Sequence, residues 1–63
     1  MNKEYDYILR EIREARENQS TFLIEGGAKE YAEYRHICGV IRGLTLAEST
    51  IIDLVRKMEK DDE

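Results

Sequence analysis

The chain has 63 residues, of which 38% are charged, with a formal net charge of −4, one cysteine, one histidine and no proline. That length allows a single domain that buries only ~60% of the surface its unfolded form exposes. A lone Cys38 cannot form an internal disulfide and, with His36 as its one companion, cannot complete a zinc site, so no metal or other cofactor is expected and oligomerisation or a partner protein is the remaining source of stability.

The mixed, net negative charge argues against a nonspecific binder of nucleic acid, which needs clustered Lys and Arg to release counterions from phosphate. No apolar run approaches the ~20 residues of a membrane span. The start, Met1-Asn2-Lys3-Glu4-Tyr5-Asp6, lacks the basic-then-apolar pattern of a signal peptide. The expected location is therefore the cytoplasm in which the chain is made.

In chain order, the first element is an amphipathic helix. Tyr5, Ile8, Ile12, Ala15, Gln19 and Phe22 recur at steps of three and four, and Leu9 and Leu23 widen the stripe. The spacing predicts a helix over about residues 3–25, with Asn2 placed to cap its start. Asp6 and Arg10, Arg10 and Glu14, and Arg13 and Glu17 stand four apart on the solvated side, where such pairs add ~0.2–0.5 kcal/mol each. Asn18-Gln19-Ser20-Thr21 is a weak helix-forming patch, but the apolar stripe stays in phase through Phe22. Gly26-Gly27, the one pair of adjacent glycines, marks the turn.

A second helix is expected over about residues 28–60. Ile37, Val40, Leu44, Ala47, Ile51, Leu54 and Met58 step by three and four without a slip. Beside them runs a second stripe of Tyr31, Tyr34, Cys38 and Ile41, resumed by Ile52 and Val55. Two stripes imply burial on two sides, and the first helix supplies one neighbour. At 1.5 Å per residue the second helix would extend ~50 Å against ~35 Å for the first, so part of it must overhang. The fold class is all-α, a helical hairpin with a long second helix forming one domain over residues 1–63, and oligomerisation is expected. The alternative is a three-helix fold that breaks near Gly43–Thr45, because Thr45 followed by Glu48 has the spacing of a capping box. The closing acids, Asp61-Asp62-Glu63, oppose the helix dipole, so the last residues are expected to fray.

The candidate interface residues are Tyr31, Tyr34, Cys38, Gly39, Ile41, Gly43, Ala47, Ile52 and Val55. Gly39, Gly43 and Ala47 line up small residues at four-residue intervals, and each mid-helix glycine costs ~1 kcal/mol relative to alanine. A close approach of another backbone would explain them, from the chain's own first helix or from another subunit. Either reading predicts that leucine at Gly39 or Gly43 disrupts packing. Arg35 and Arg42, seven apart on one face, have no acid three or four positions away. Salt bridges to Glu11 or Glu14 of the first helix would satisfy them; contact with an anion or an acidic partner is the functional alternative, with His36 adding charge at lower pH.

Catalysis has no constellation to rest on. His36 and Cys38 are two residues apart on a helix and point ~160° from each other, so they do not form a nucleophile and its base, and Cys38 reads as a small buried hydrophobe. Gly26-Gly27 matches no phosphate-binding fingerprint. The tyrosines at 5, 7, 31 and 34 read as boundary residues, apolar on one side and wet on the other.

The run Gly27-Ala28-Lys29-Glu30, Tyr34-Arg35 and Gly39-Val40-Ile41-Arg42-Gly43-Leu44 resembles short proteins encoded by tailed bacteriophages, in which a similar stretch precedes an amphipathic helix that ends in charges. The similarity covers about residues 26–60. It implies a context and no site residues: a phage-encoded accessory protein, either a minor virion or head-to-tail component or a small factor acting on a host protein.

Overall fold

Both apolar repeats form helices, and the turn between them places the helices antiparallel. The computed structural model describes residues 3–61: α1 spans Lys3–Ile24 and α2 spans Tyr31–Asp61. The expected hairpin with a long second helix is the observed fold. Asn2, the expected cap of α1, and Asp62 and Glu63 of the acidic tail lie outside the described residues.

α1 continues through Asn18-Gln19-Ser20-Thr21 without a break and ends one residue earlier than the spacing predicts. Gly26 takes φ +78°, a left-handed conformation that side-chain-bearing residues pay to adopt. The Gly26 N–H donates to the Leu23 carbonyl at 3.0 Å, and the Gly27 N–H to that of Phe22 at 2.8 Å. This bond pair is a Schellman cap, which satisfies the orphan carbonyls at the end of α1. A Cβ at Gly27 would overlap the Phe22 ring. The two adjacent glycines therefore have separate reasons: Gly26 supplies a conformation and Gly27 supplies room.

α2 begins at Tyr31 and not at Ala28. Residues 25–30 are needed to reverse the chain and move it from one helix axis to the next, about 8–10 Å away. The first turn of α2 then closes as the Tyr34 N–H donates to the Glu30 carbonyl at 3.0 Å.

The alternative break near Gly43–Thr45 does not occur, because α2 is one helix through Asp61. In a capping box Thr45 would accept from the Glu48 N–H, and Glu48 would reach back to Thr45. Instead the Thr45 hydroxyl donates to the carbonyl of Ile41 at 2.9 Å, and the Glu48 carboxylate crosses to α1. Thr50 bonds back to Leu46 in the same way. Both threonines spend their hydroxyls on the preceding turn, so neither starts a helix.

The core is one seam. Leu9 is 1% exposed, Ile37 and Val55 are buried with it, and no other described hydrophobic residue reaches that level. Each such side chain contributes about 1.5–3 kcal/mol. Around them Tyr5, Ile12 and Leu23 of α1 and Ile41, Leu44 and Ile52 of α2 are half-buried. The first turns of α2, residues 31–36, are exposed throughout, and this is the overhang expected from the unequal helix lengths.

Candidate packing surfaces

The seam carries one polar cluster. The Arg13 Nε donates to Glu48 Oε2 at 2.5 Å, and the Arg16 Nη1 donates to Glu48 Oε1 at 2.6 Å. The same Arg16 nitrogen lies 3.4 Å from the Thr45 hydroxyl. These bonds, that from Arg16 foremost, hold the Glu48 carboxyl below its ordinary pKa, and the bond to Glu48 pushes Arg16 above its own. The glutamate side chain is 14% exposed. A carboxylate that far inside a two-helix seam is tolerable because two guanidinium groups satisfy it.

This cluster reverses the expected sense of the interhelical ion pairs. Carboxylates of α1 were to meet arginines of α2; instead, arginines of α1 meet a carboxylate of α2. Arg35 and Arg42 lie on the exposed side of α2, about 120–140° around the helix from Glu48, and neither forms an ion pair among the described residues. Glu11 and Glu14 are exposed and form none either. Of the expected four-apart pairs within α1 none closes: Arg13 is drawn to Glu48, and Arg10 lies over the Tyr7 ring, 5.5 Å from its centre.

The antiparallel register follows from contacts along the hairpin. The Tyr5 hydroxyl donates to the Met58 sulfur at 3.3 Å, Arg13 reaches Glu48, and Arg16 reaches Thr45. In this register Ile8 stands level with Leu54, Ala15 with Ala47, and Phe22 with Val40.

A helix turns by about 100° per residue, so each residue can be placed relative to the contact line through Leu9 and Arg16 in α1 and through Ile37, Glu48 and Val55 in α2. Ile8, Ala15 and Phe22 lie roughly 100–140° from Leu9, and roughly 80–120° from Arg16, to one side of that line in α1. Val40, Ala47, Leu54 and Met58 lie roughly 60–100° from Ile37 and Val55, and roughly 80–120° from Glu48, to the same rotational side in α2. In an antiparallel pair of right-handed helices, those two sides coincide. Both sets therefore form one face of the hairpin, bordered by the half-buried Ile12, Gln19, Leu44 and Ile51. Ile8, Phe22, Leu54 and Met58 are 41–46% exposed on it. Between Val40 and Met58 no charged residue falls on this face, and between Tyr5 and Phe22 one stands at its margin, the exposed Glu11, about 20° around α1 beyond Phe22.

The opposite face has a different character. Arg10, Glu14 and Glu17 of α1 line it together with Arg42, Ser49, Asp53 and Arg56 of α2, all exposed. At its turn end the Tyr31 and Tyr34 rings meet at a tilt of 32° with their centres 6.3 Å apart. The Tyr34 hydroxyl is pushed above its ordinary pKa, chiefly by a hydrogen bond with the Cys38 thiol one turn on. Cys38 itself is a free, half-buried thiol.

The candidate interface residues are thus divided by the fold. Val55 is buried in the seam, and Ile41, Ile52 and Cys38 are half-buried at or beside it. Tyr31 and Tyr34 are exposed near the turn. Ala47 sits on the charge-free face, with Gly43 at its margin. Gly39 faces away from α1 altogether. The apolar surface that both helices share accordingly lies with the stripe of Val40, Ala47, Leu54 and Met58, rotated from the stripe in which the sequence alone placed it, while the more exposed Ile24, Tyr31 and Leu46 stand apart from it. Ile8 and Phe22 of α1, which that reading did not count as surplus, share the face. A periodic stripe gives a direction on each helix, but the two directions meet on one face only once the hairpin is closed.

Gly39 and Gly43 likewise do not mark a crossing with α1. A Cβ at either position would have nothing within 4 Å, so the expected clash of a larger side chain does not arise within the hairpin. Among the described residues no group of three or more His, Cys, Asp or Glu is placed to hold a metal ion, and no helix is long and apolar enough to cross a membrane. No family model, curated protein or solved structure matches the chain.

Proposed function

We propose that this chain is a small, non-enzymatic accessory protein of bacteriophage type that acts by helix packing, as a structural or assembly component of the virion or its head-to-tail region. The observation that carries the packing role is the charge-free face built from both helices. Contiguous apolar surface flanked by polar residues is the mark of an interaction site, and a core of three buried side chains gains from any further burial. The phage context comes from the resemblance of residues 26–60. A photo-crosslinking amino acid at Leu54, in the chain expressed in a bacterial cell, tests the packing role. Discrete protein adducts are expected there and none from the same group at Ser49; equal labelling at the two positions overturns the reading.

A second reading, an inhibitory or regulatory binder of a host protein, is favoured by Arg35 and Arg42. They stand one heptad apart on the exposed side of α2 with no ion pair among the described residues, an arrangement suited to an acidic partner surface. Under this reading, replacing both by alanine abolishes capture of one specific host protein while the hairpin stays folded.

A further inference from the structure

We infer that the charge-free face is covered by a second copy of this chain, so that two hairpins stack into an antiparallel four-helix bundle. This rests on the packing role proposed above and names the partner. Three properties of the face select a second copy.

The first is area. The charge-free stretch of α1 runs for ~27 Å at 1.5 Å per residue, and the hairpin is 17 Å across. That is a planar footprint of roughly 450 Å² per copy, or ~900 Å² over two copies before side-chain relief is counted, just under the ~1,000 Å² floor for a specific interface and in the range of a weak dimer. The face is the size of its own counterpart.

The second is charge. A partner selected by electrostatics would need charge across this face to complement, and it has none between Val40 and Met58 and only Glu11, at the margin, between Tyr5 and Phe22. Each copy keeps its net charge on the remaining surface, so two chains of −4 meet without like charges opposed at the contact. An equally charge-free pair of helices is the matching surface, and this chain supplies one.

The third is profile along the face. Bulk stands at both ends, Ile8 with Leu54 and Phe22 with Val40, and small residues stand at the waist, Ala15 with Ala47. Helix pairs that cross at an angle are closest at the crossing and diverge on either side. Small side chains at the waist let the four backbones approach, and large ones fill the space where the axes separate. Turned end for end about a two-fold axis through the waist, the face presents the same sequence of large, small and large. An isologous interface has that property, because one patch must serve both sides.

The full chain, purified on its own, tests the inference by absolute molar mass over a micromolar concentration series. The expected mass is twice the 7.4 kDa of the chain, with a thermal midpoint that rises with concentration because association stabilises the folded state. Ala47→Glu and Leu54→Glu, which place a carboxylate on the face, are expected to halve the mass. Ser49→Glu on the opposite face is expected to leave it doubled. A wild-type mass of 7.4 kDa at every concentration, a multiple other than two, or a doubled mass in Ala47→Glu overturns the inference. The wild-type mass and midpoint decide even if a variant fails to fold. In the crosslinking experiment, adducts at Leu54 with a different protein and none with the chain itself would overturn the second copy while leaving the packing role standing.

Discussion

The two faces of this hairpin are made by the same pair of helices, yet they differ in what they ask of the surroundings. One face mixes both charge signs with a tyrosine pair and meets water. The other carries isoleucine, alanine, phenylalanine, leucine and methionine with no charge among them. Between them runs a seam whose centre is three aliphatic side chains and one carboxylate held by two arginines. The difference teaches that a two-helix protein can satisfy the carboxylate buried in its seam and still leave apolar surface on one side. One neighbour covers only one line on each helix, whereas the apolar stripes here are wider than that line.

Substitutions that separate the seam from the two faces sharpen this comparison, and the largest effect is expected in the seam. Leu9→Ala removes the most buried side chain of the hairpin and is expected to cost about 3 kcal/mol, enough in a chain this small to lose most of its helical circular dichroism at room temperature. A native-like melt for that variant would mean that the core lies elsewhere.

Glycine substitutions distinguish the turn from the outer surface of α2. Gly26→Ala forces a side chain into the left-handed conformation and should lower stability by about 1–2 kcal/mol. Gly39→Ala meets open space and should raise it by up to about 1 kcal/mol through helix propensity. Opposite shifts of the urea midpoint are the expected outcome. A loss of stability at Gly39→Ala would show that something packs against that position.

The subtlest test concerns the polar cluster. The folded-state pKa of Glu48 is depressed below the ordinary 4.5, so its ionised form contributes stability that is fully present above that ordinary value. The contribution is lost as pH falls through the depressed folded value. Wild type should therefore melt above Glu48→Gln at pH 7, with the gap closing on acidification below about pH 4.5. A gap that stays constant from neutral to acid pH would remove the carboxylate from the account of the seam.

The sequence by itself determined the elements. Steps of three and four fix an apolar direction on each helix, and two adjacent glycines fix where the chain turns, so both helices were legible to within a few residues. It also determined that apolar surface would exceed what one neighbour covers. The tertiary structure decided which surface that is. Ile41, Ile52 and Val55 belong to one stripe and Ile37 and Leu44 to the other, yet the seam takes residues from both. Only closure of the hairpin fixes the rotation of α2 about its own axis, and that rotation turns Val40, Ala47 and Leu54 outward beside Ile8 and Phe22. Glu48 could not be assigned from spacing alone, because Thr45 and Glu48 have the separation of a capping box. In the fold α2 runs through without a cap, and the Glu48 carboxylate is taken by Arg13 and Arg16 from a helix some thirty residues away in the chain. Local spacing sets what a side chain can do, and the neighbour brought to it by folding sets what it does.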